Sequence, residues 1–153
     1  MTVRDFKASD FPAVCRIYFE AKREELKFEP YPFNVTPLNQ DEVLLAAFYE
    51  SDVIVFDDGT VRGFAATFAG QLRALFVDGA VRGRGIGQSL LDAVLARGTE
   101  GLSLNVAKSN GDALRFYARN GFSNVGETVR HYAGHEIMYL KMQLAPKLGE
   151  VIA

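Results

Sequence analysis

Tryptophan is absent from this chain of 153 residues, and cysteine and histidine are scarce, with one and two copies. The single Cys15 excludes an internal disulfide and the stapled scaffolds of small secreted proteins, so a reducing, cytoplasmic setting is expected. Cys15 sits beside the apolar face of a helix and reads as a small buried apolar residue. His131 and His135 have Gly134 between them and no cysteine nearby, so no metal is expected there. A base or a substrate contact from that loop, shared with Glu136, is the better use for them. No apolar run approaches the roughly 18 residues of a membrane-spanning helix. The opening segment carries Arg4, Asp5 and Lys7 where a secretory signal would be apolar. Neither sign of charge dominates: 17 Lys and Arg face 19 Asp and Glu, a net charge of −2. No global basic field exists to hold nucleic acid. What remains is ordinary globular composition, 48% hydrophobic and 24% charged, and one domain's worth of chain.

Charge is nevertheless uneven along the sequence. Phe28 to Val61 holds no Lys or Arg, while Glu29, Asp41, Glu42, Glu50, Asp52, Asp57 and Asp58 fall within it. From Val81 to Arg119 the balance reverses, with Arg82, Arg84, Arg97, Lys108, Arg115 and Arg119 against Asp92, Glu100 and Asp112. An acidic half beside a basic half suits one cationic and one anionic ligand.

Strands and helices alternate. Val3 to Phe6 reads as a strand, and Ser9 caps a helix whose apolar face is Phe11, Val14, Tyr18 and Ala21. Pro30, Pro32 and Pro37 make Phe28 to Pro37 a loop. Asp41 to Tyr49 reads as a helix with Val43, Leu44, Ala47 and Phe48 inward. Val53 to Phe56 and Val61 to Phe68 are strands joined by a turn at Asp58-Gly59. Leu72 to Val77 is a strand, followed by a glycine-rich loop and a helix with Leu90, Leu91, Val94 and Leu95 inward. Leu102 to Val106 is a strand and Asn110 to Arg119 a helix ended by Gly121. Phe122 to Val129 and Ile137 to Leu144 close the chain as an antiparallel pair, leaving residues 146–153 as a loose tail after a domain of 1–145. The expected class is α/β with a mixed central sheet flanked by helices.

The glycine-rich loop carries the chemistry. Gly79, Gly83, Gly85 and Gly87 sit at a strand-to-helix junction, where glycine lets backbone N–H groups approach a ligand closely. The helix start adds unsatisfied donors and the positive end of its dipole, which makes an anion site suited to phosphate. A Walker A loop would end in Gly-Lys-Ser/Thr, but Gly87 is followed by Gln88 and Ser89. A dinucleotide fingerprint on Gly83 and Gly85 would need glycine at Gln88. ATP and NAD are therefore disfavoured.

Arg82-Gly83-Arg84-Gly85-Ile86-Gly87 resembles the Arg/Gln-x-x-Gly-x-Gly/Ala loop of the GNAT superfamily of N-acetyltransferases. Downstream, Asn110-Gly111-Asp112-Ala113-Leu114-Arg115-Phe116-Tyr117 with Gly121-Phe122 resembles that family's second signature. Both occur in family order, and the resemblance extends over nearly the whole chain. It implies the GNAT fold and transfer of an acetyl group from acetyl-CoA to a primary amine, by direct attack in a ternary complex. Arg82, Gly83, Arg84, Gly85, Ile86, Gly87 and Gln88 would then hold the coenzyme A pyrophosphate. The backbone of Leu75, Phe76 and Val77 would pair with the pantetheine arm and face the developing oxyanion. Tyr117 would protonate the departing thiolate, and Asn110 would contact the coenzyme arm, cap its helix, or do both. Ser109 competes for that cap, since Ser109 and Asp112 have capping-box spacing. Lys108, Arg115 and Arg119 either meet the ADP phosphates or form a solvated surface.

The general base is not placed by the resemblance. Some relatives carry a glutamate where this chain has Asn105, which cannot usefully accept a proton. Glu20, Glu24, Glu25, a water, or an amine that arrives neutral are the alternatives. Phe28, Tyr31 and Phe33 read as a wall of the acceptor site or as aromatics pinning a loop. As a wall beside the acidic stretch they would favour a cationic amine. A non-catalytic acyl-CoA-binding module on the same fold is the rival reading, and association of two copies through the closing strands is left open.

Overall fold

The computed structural model describes residues 2–98 and 101–146. Glu100 and the expected tail at 147–153 lie outside the described residues. In chain order come β1 (Thr2–Asp5), α1 (Phe11–Glu25), α2 (Glu42–Glu50), β2 (Asp52–Asp57), β3 (Val61–Phe68) and β4 (Gln71–Val77). Then follow α3 (Ile86–Ala96), β5 (Leu102–Ala107), α4 (Gly111–Arg119), β6 (Ser123–Tyr132) and β7 (His135–Leu144). Short 3-10 turns lie at Ala8–Asp10, Leu38–Gln40 and Gly79–Val81.

Every expected element is present, and three local readings change. Ser9 does not cap α1; it lies in the 3-10 turn, and Asp10 occupies the cap position. The Asp10 carboxylate is drawn elsewhere, accepting from Arg4 Nη1 and Nη2, both at 2.8 Å, and from the Lys7 N–H at 2.9 Å. Val43 was expected inward but is 79% exposed, because only Phe48 of the short α2 is fully buried. The closing hairpin runs further than its apolar residues suggest. Pairing continues through Arg130–Ile137 and His131–Glu136 to Tyr132–His135. Ala133 and Gly134, both at positive φ, turn the chain there.

The strands form one seven-stranded sheet in the order β1-β2-β3-β4-β5-β7-β6. All neighbours are antiparallel except β4 and β5. Helices cover both faces because strand residues alternate between two cores. On β2, Ile54 and Phe56 enter one core with α3 and α4, while Val55 enters the other with α1 and α2. On β3, Ala65 and Phe64 divide the same way. The alternation explains why β2 reads as a continuous apolar run: it is buried on both faces. A third cluster of Leu26, Ala107, Ile137 and Tyr139 joins the end of α1 to β5 and β7.

α3 lies unusually close to the sheet at Gly63, where an added Cβ would stand 2.9 Å from the Phe76 carbonyl oxygen and 3.1 Å from Leu90. Gly63→Ala is expected to lower unfolding free energy by about 1–3 kcal/mol, read from the urea midpoint at unchanged slope. Asp10 gives a pH signature. Its hydrogen bonds to Arg4, with that from the Lys7 N–H, hold its carboxyl below the usual carboxylate range. The stabilisation is therefore complete above the unfolded-state pKa of about 3.9 and is lost as pH falls through the lower folded value. Asp10→Asn should cost about 2 kcal/mol at neutral pH and flatten the acid limb of the stability profile.

Candidate active site

The site begins where two strands part. β4 and β5 share one registered pair, Gln71–Ser103, reinforced by the Ser103 N–H donating to the Gly70 carbonyl at 2.9 Å. Beyond it β4 is bonded to β3 alone. On that side Ala66 pairs with Ala74 but Thr67 with Leu72, so Arg73 is an extra residue in a bulge. A bulge bends its strand and adds local twist, and this one lies at the start of the divergence. The Leu75–Val77 segment thus faces β5 across a gap, with backbone groups that a neighbouring strand would otherwise occupy.

Two cavities open into the gap. The first, of about 580 Å³, lies between the N-terminal ends of α3 and α4. It is lined by Leu75, Phe76, Val77, Arg82, Gly83, Gly85, Ile86, Gly87, Gln88, Asn110 and Tyr117. Of the loop residues singled out in the sequence, Gly79 and Arg84 do not line it; both are exposed. The second cavity, of about 550 Å³, opens between α1, α2 and the β6–β7 hairpin. The two share Glu25, Asn105, Phe76 and the residues around the bulge, Leu72, Arg73 and Ala74.

The loop is built to leave donors free. Asp78 is buried; its carboxylate accepts from the Ala80 N–H at 3.0 Å and pairs with Arg16 at 3.3 Å. Those contacts, the backbone bond first, keep its carboxyl below the usual range. Gly85 stands at the cap of α3 with φ +78°, and no side chain caps the helix. An added Cβ at Gly85 would meet nothing within 4 Å, so the left-handed backbone, and not crowding, requires glycine there. The first N–H groups of α3 are left to an anion entering the cavity. Arg82 on its rim pairs with Glu24 at 3.6 Å. Gln88 has a structural duty as well: its amide donates to Asp92 and to Asn120, both at 2.8 Å, and so ties α3 to the end of α4.

Tyr117 is buried against Phe116 and Phe122, and its phenol donates to no protein group among the described residues. Burial, with the nearby Glu25 charge, drives its pKa well above the ordinary tyrosine value. The phenol therefore keeps its proton throughout the neutral range. Asn110 caps α4, its Oδ1 accepting from the Ala113 N–H at 3.4 Å. Ser109 does not compete for the cap; its hydroxyl donates to Glu29. Lys108 is engaged with Glu127 and Arg115 with Asp112, while Arg119 lines the first cavity.

The acetyltransferase (GNAT) domain matches residues 40–124, more than half of the chain. The chain belongs to the GNAT acetyltransferase family. Peptidyl-lysine N-acetyltransferase YjaB of Salmonella typhimurium is 37% identical over 76 residues. That match spans 50% of this chain and 52% of the relative, about half its length. A GCN5-related N-acetyltransferase from Rhodopseudomonas palustris shares the fold at TM-score 0.75, 21% identical, with 94% of each chain covered. So does yncA of Salmonella typhimurium, solved with acetyl-CoA, at TM-score 0.66 and 22% identity over 100% of this chain and 96% of that one.

On this GNAT frame the remaining candidates sort by position. Glu20 is exposed and lines neither cavity, Glu24 lines the first, and Glu25 lines both. The proline loop is pinned by aromatics: Tyr31 stacks on His135 at 3.5 Å, and Phe33 meets Tyr132 at 5.5 Å. Phe28 remains exposed and lines the first cavity. His131 lines the second cavity and faces Glu136 at 3.6 Å. Among the described residues no three His, Cys, Asp or Glu cluster as a metal site would need. The acidic stretch mostly turns to structural work, with Glu50 on Arg73, Asp57 on Arg4 and Asp58 on Arg62. Of that stretch only Asp41 lines the second cavity.

Sequence reasoning missed Tyr18, Lys22 and Arg73 as cavity residues. Tyr18 read as core, and no local pattern marks Lys22 or Arg73, because their faces are set by β4 and the distant hairpin. Asn110→Ala should lose the α4 cap and about 1 kcal/mol of stability, measured as a lower urea midpoint.

Proposed function

We propose that this GNAT-family chain transfers an acetyl group from acetyl-CoA to a primary amine, by direct attack with both substrates bound. The observation that carries the reading is the shared cavity. The uncapped start of α3, the unpaired side of β4 and the protonated Tyr117 phenol all line one space beside the gap between β4 and β5. The relatives' printed activities and the acetyl-CoA held by yncA support it.

The free N–H groups of Gly83 to Gln88, with Arg82, would hold the pyrophosphate by charge-assisted hydrogen bonds. β4 from Leu75 to Val77 would pair with the pantetheine arm as with a missing strand and turn a backbone N–H toward the carbonyl oxygen as it gains charge. Acetyl-CoA supplies the activated thioester. Tyr117 would donate its phenol proton to the sulfur as the C–S bond breaks. Its raised pKa suits this role: the acid stays loaded, and no alkaline limb from Tyr117 should appear below the ordinary tyrosine range. The second cavity would admit the amine from the opposite mouth. A cytoplasmic setting and a domain spanning residues 1–145 belong to the same reading.

Calorimetric titration tests the cofactor, with ATP and NADH as controls. Acetyl-CoA should bind at about 100 μM or tighter, near 5.5 kcal/mol, with both controls silent. No binding by folded protein would overturn the proposal. Tyr117→Phe should keep acetyl-CoA affinity and lose about 100-fold or more in turnover. Full turnover in that variant would remove Tyr117 as the acid, and no turnover in the parent chain would favour a non-catalytic acyl-CoA-binding module.

A further inference from the structure

Three side-chain oxygens of the described residues are buried without a hydrogen bond: Tyr18 Oη, Glu25 Oε2 and Asn105 Oδ1. All three residues line the second cavity, and Glu25 and Asn105 also line the first. A buried polar atom left unsatisfied costs about 1–3 kcal/mol; Glu25 Oε2 has the Lys22 ammonium at 2.7 Å, whereas Tyr18 Oη and Asn105 Oδ1 have no partner among the described residues, so two open acceptors beside a carboxylate mark a place for a ligand rich in donors. Each can accept a hydrogen bond, and a primary ammonium group brings three N–H donors. An alcohol or thiol brings one.

We propose that Glu25, Asn105 and Tyr18 form the subsite that receives the acceptor's primary ammonium, and that Glu25 is the base that takes its proton. This rests on the acetyl-transfer reading above. Glu25 comes from α1 yet reaches the wall that Asn105 of β5 also forms. The carboxylate absent from position 105 is thus supplied from another element. Lys22 Nζ lies 2.7 Å from Glu25 Oε2 as an ion pair. It provides the counter-charge a carboxylate needs at that depth. Lys22 is itself packed near the rings of Tyr132 and Tyr139, at 5.8 and 5.9 Å.

Tyr18 on its own helix, Tyr117 from α4 and Tyr139 from β7 lie near Glu25; Asp41, Arg73, Arg130, His131 and Tyr132 line the second cavity with it, and Glu24, Lys27, Arg82, Asp112 and Arg119 line the first. Arg73 is held by Glu50 at 2.7 Å, and Asp41 accepts from the Leu44 N–H at 3.1 Å. The proton balance closes with two acids and one base. The ammonium passes one proton to Glu25, which returns it to solvent. The neutral nitrogen forms the C–N bond, and the C–S bond breaks. Tyr117 protonates the sulfur and recovers the second nitrogen proton.

The test uses the full chain and n-butylamine. Calorimetry measures butylamine binding to protein saturated with coenzyme A, and release of the coenzyme thiol from acetyl-CoA measures turnover against pH. Glu25→Gln should weaken butylamine binding at least tenfold and lower kcat/KM by about 100-fold or more. Its log kcat/KM should climb with unit slope toward the amine's own pKa, because the amine must then arrive neutral. Acetyl-CoA affinity should stay within about twofold, and Glu25→Asp should recover part of the rate. Glu25→Gln strands a buried Lys22, so the double variant Lys22→Met with Glu25→Gln, which buries no unpaired charge, should show the same losses if the single variant fails to fold. Unchanged butylamine binding and an unchanged pH profile in the folded variant would overturn the assignment, as would no butylamine binding to the parent chain. A parent chain that binds no acetyl-CoA would overturn the acetyl-transfer reading itself.

Discussion

β4 and β5 meet at Gln71 and Ser103 and then diverge, and the arrangement of the site depends on that parting. Were the pairing to continue, the backbone of Leu75 to Val77 would be consumed by β5 and neither cavity would reach the other. The bulge at Arg73 gives a local cause, since an extra residue against β3 turns the strand away from its parallel neighbour. Parallel pairing is also slightly weaker per residue than antiparallel, so the sheet gives up little at this junction. The loss is offset on both sides, where β3 and β7 hold their partners through long antiparallel registers.

Around that gap the charges are arranged by depth. The outer groups are paired along the surface, as Arg82 with Glu24 and Arg73 with Glu50. The inner groups, Lys22 and Glu25, are each mostly buried and balance one another. Tyr117 sits deeper still, where removal from water keeps the phenol neutral. The gradient runs from solvated ion pairs to a neutral phenol, as the cost of burying charge requires.

Much of the fold was legible because local signals agreed with tertiary ones. Gly83 to Gly87 marked an open strand-to-helix loop through backbone freedom, and Asn110 to Gly121 carried both a helix cap and a stop. Ser9 and Val43 misled because capping and amphipathic signals are local, while competing partners are not. Arg4, brought in from β1, is among the partners that take up the Asp10 carboxylate. The hairpin beyond Val129 was underestimated because backbone pairing continues after the apolar alternation stops.

By itself the sequence determined an α/β chain with a phosphate-type loop between a strand and a helix, a buried tyrosine signature downstream, and no disulfide framework. Those properties reside in residues close together along the chain, where periodicity, glycine φ and caps act. Only the tertiary structure decided which of the three late α1 glutamates turns inward, that Lys22 accompanies it, and that Tyr18 and Asn105 share its cavity. Those facts depend on how α1, β4, β5 and the closing hairpin converge, and no local pattern of charge or hydrophobicity encodes a meeting of elements more than a hundred residues apart, as Lys22 and Tyr139 are.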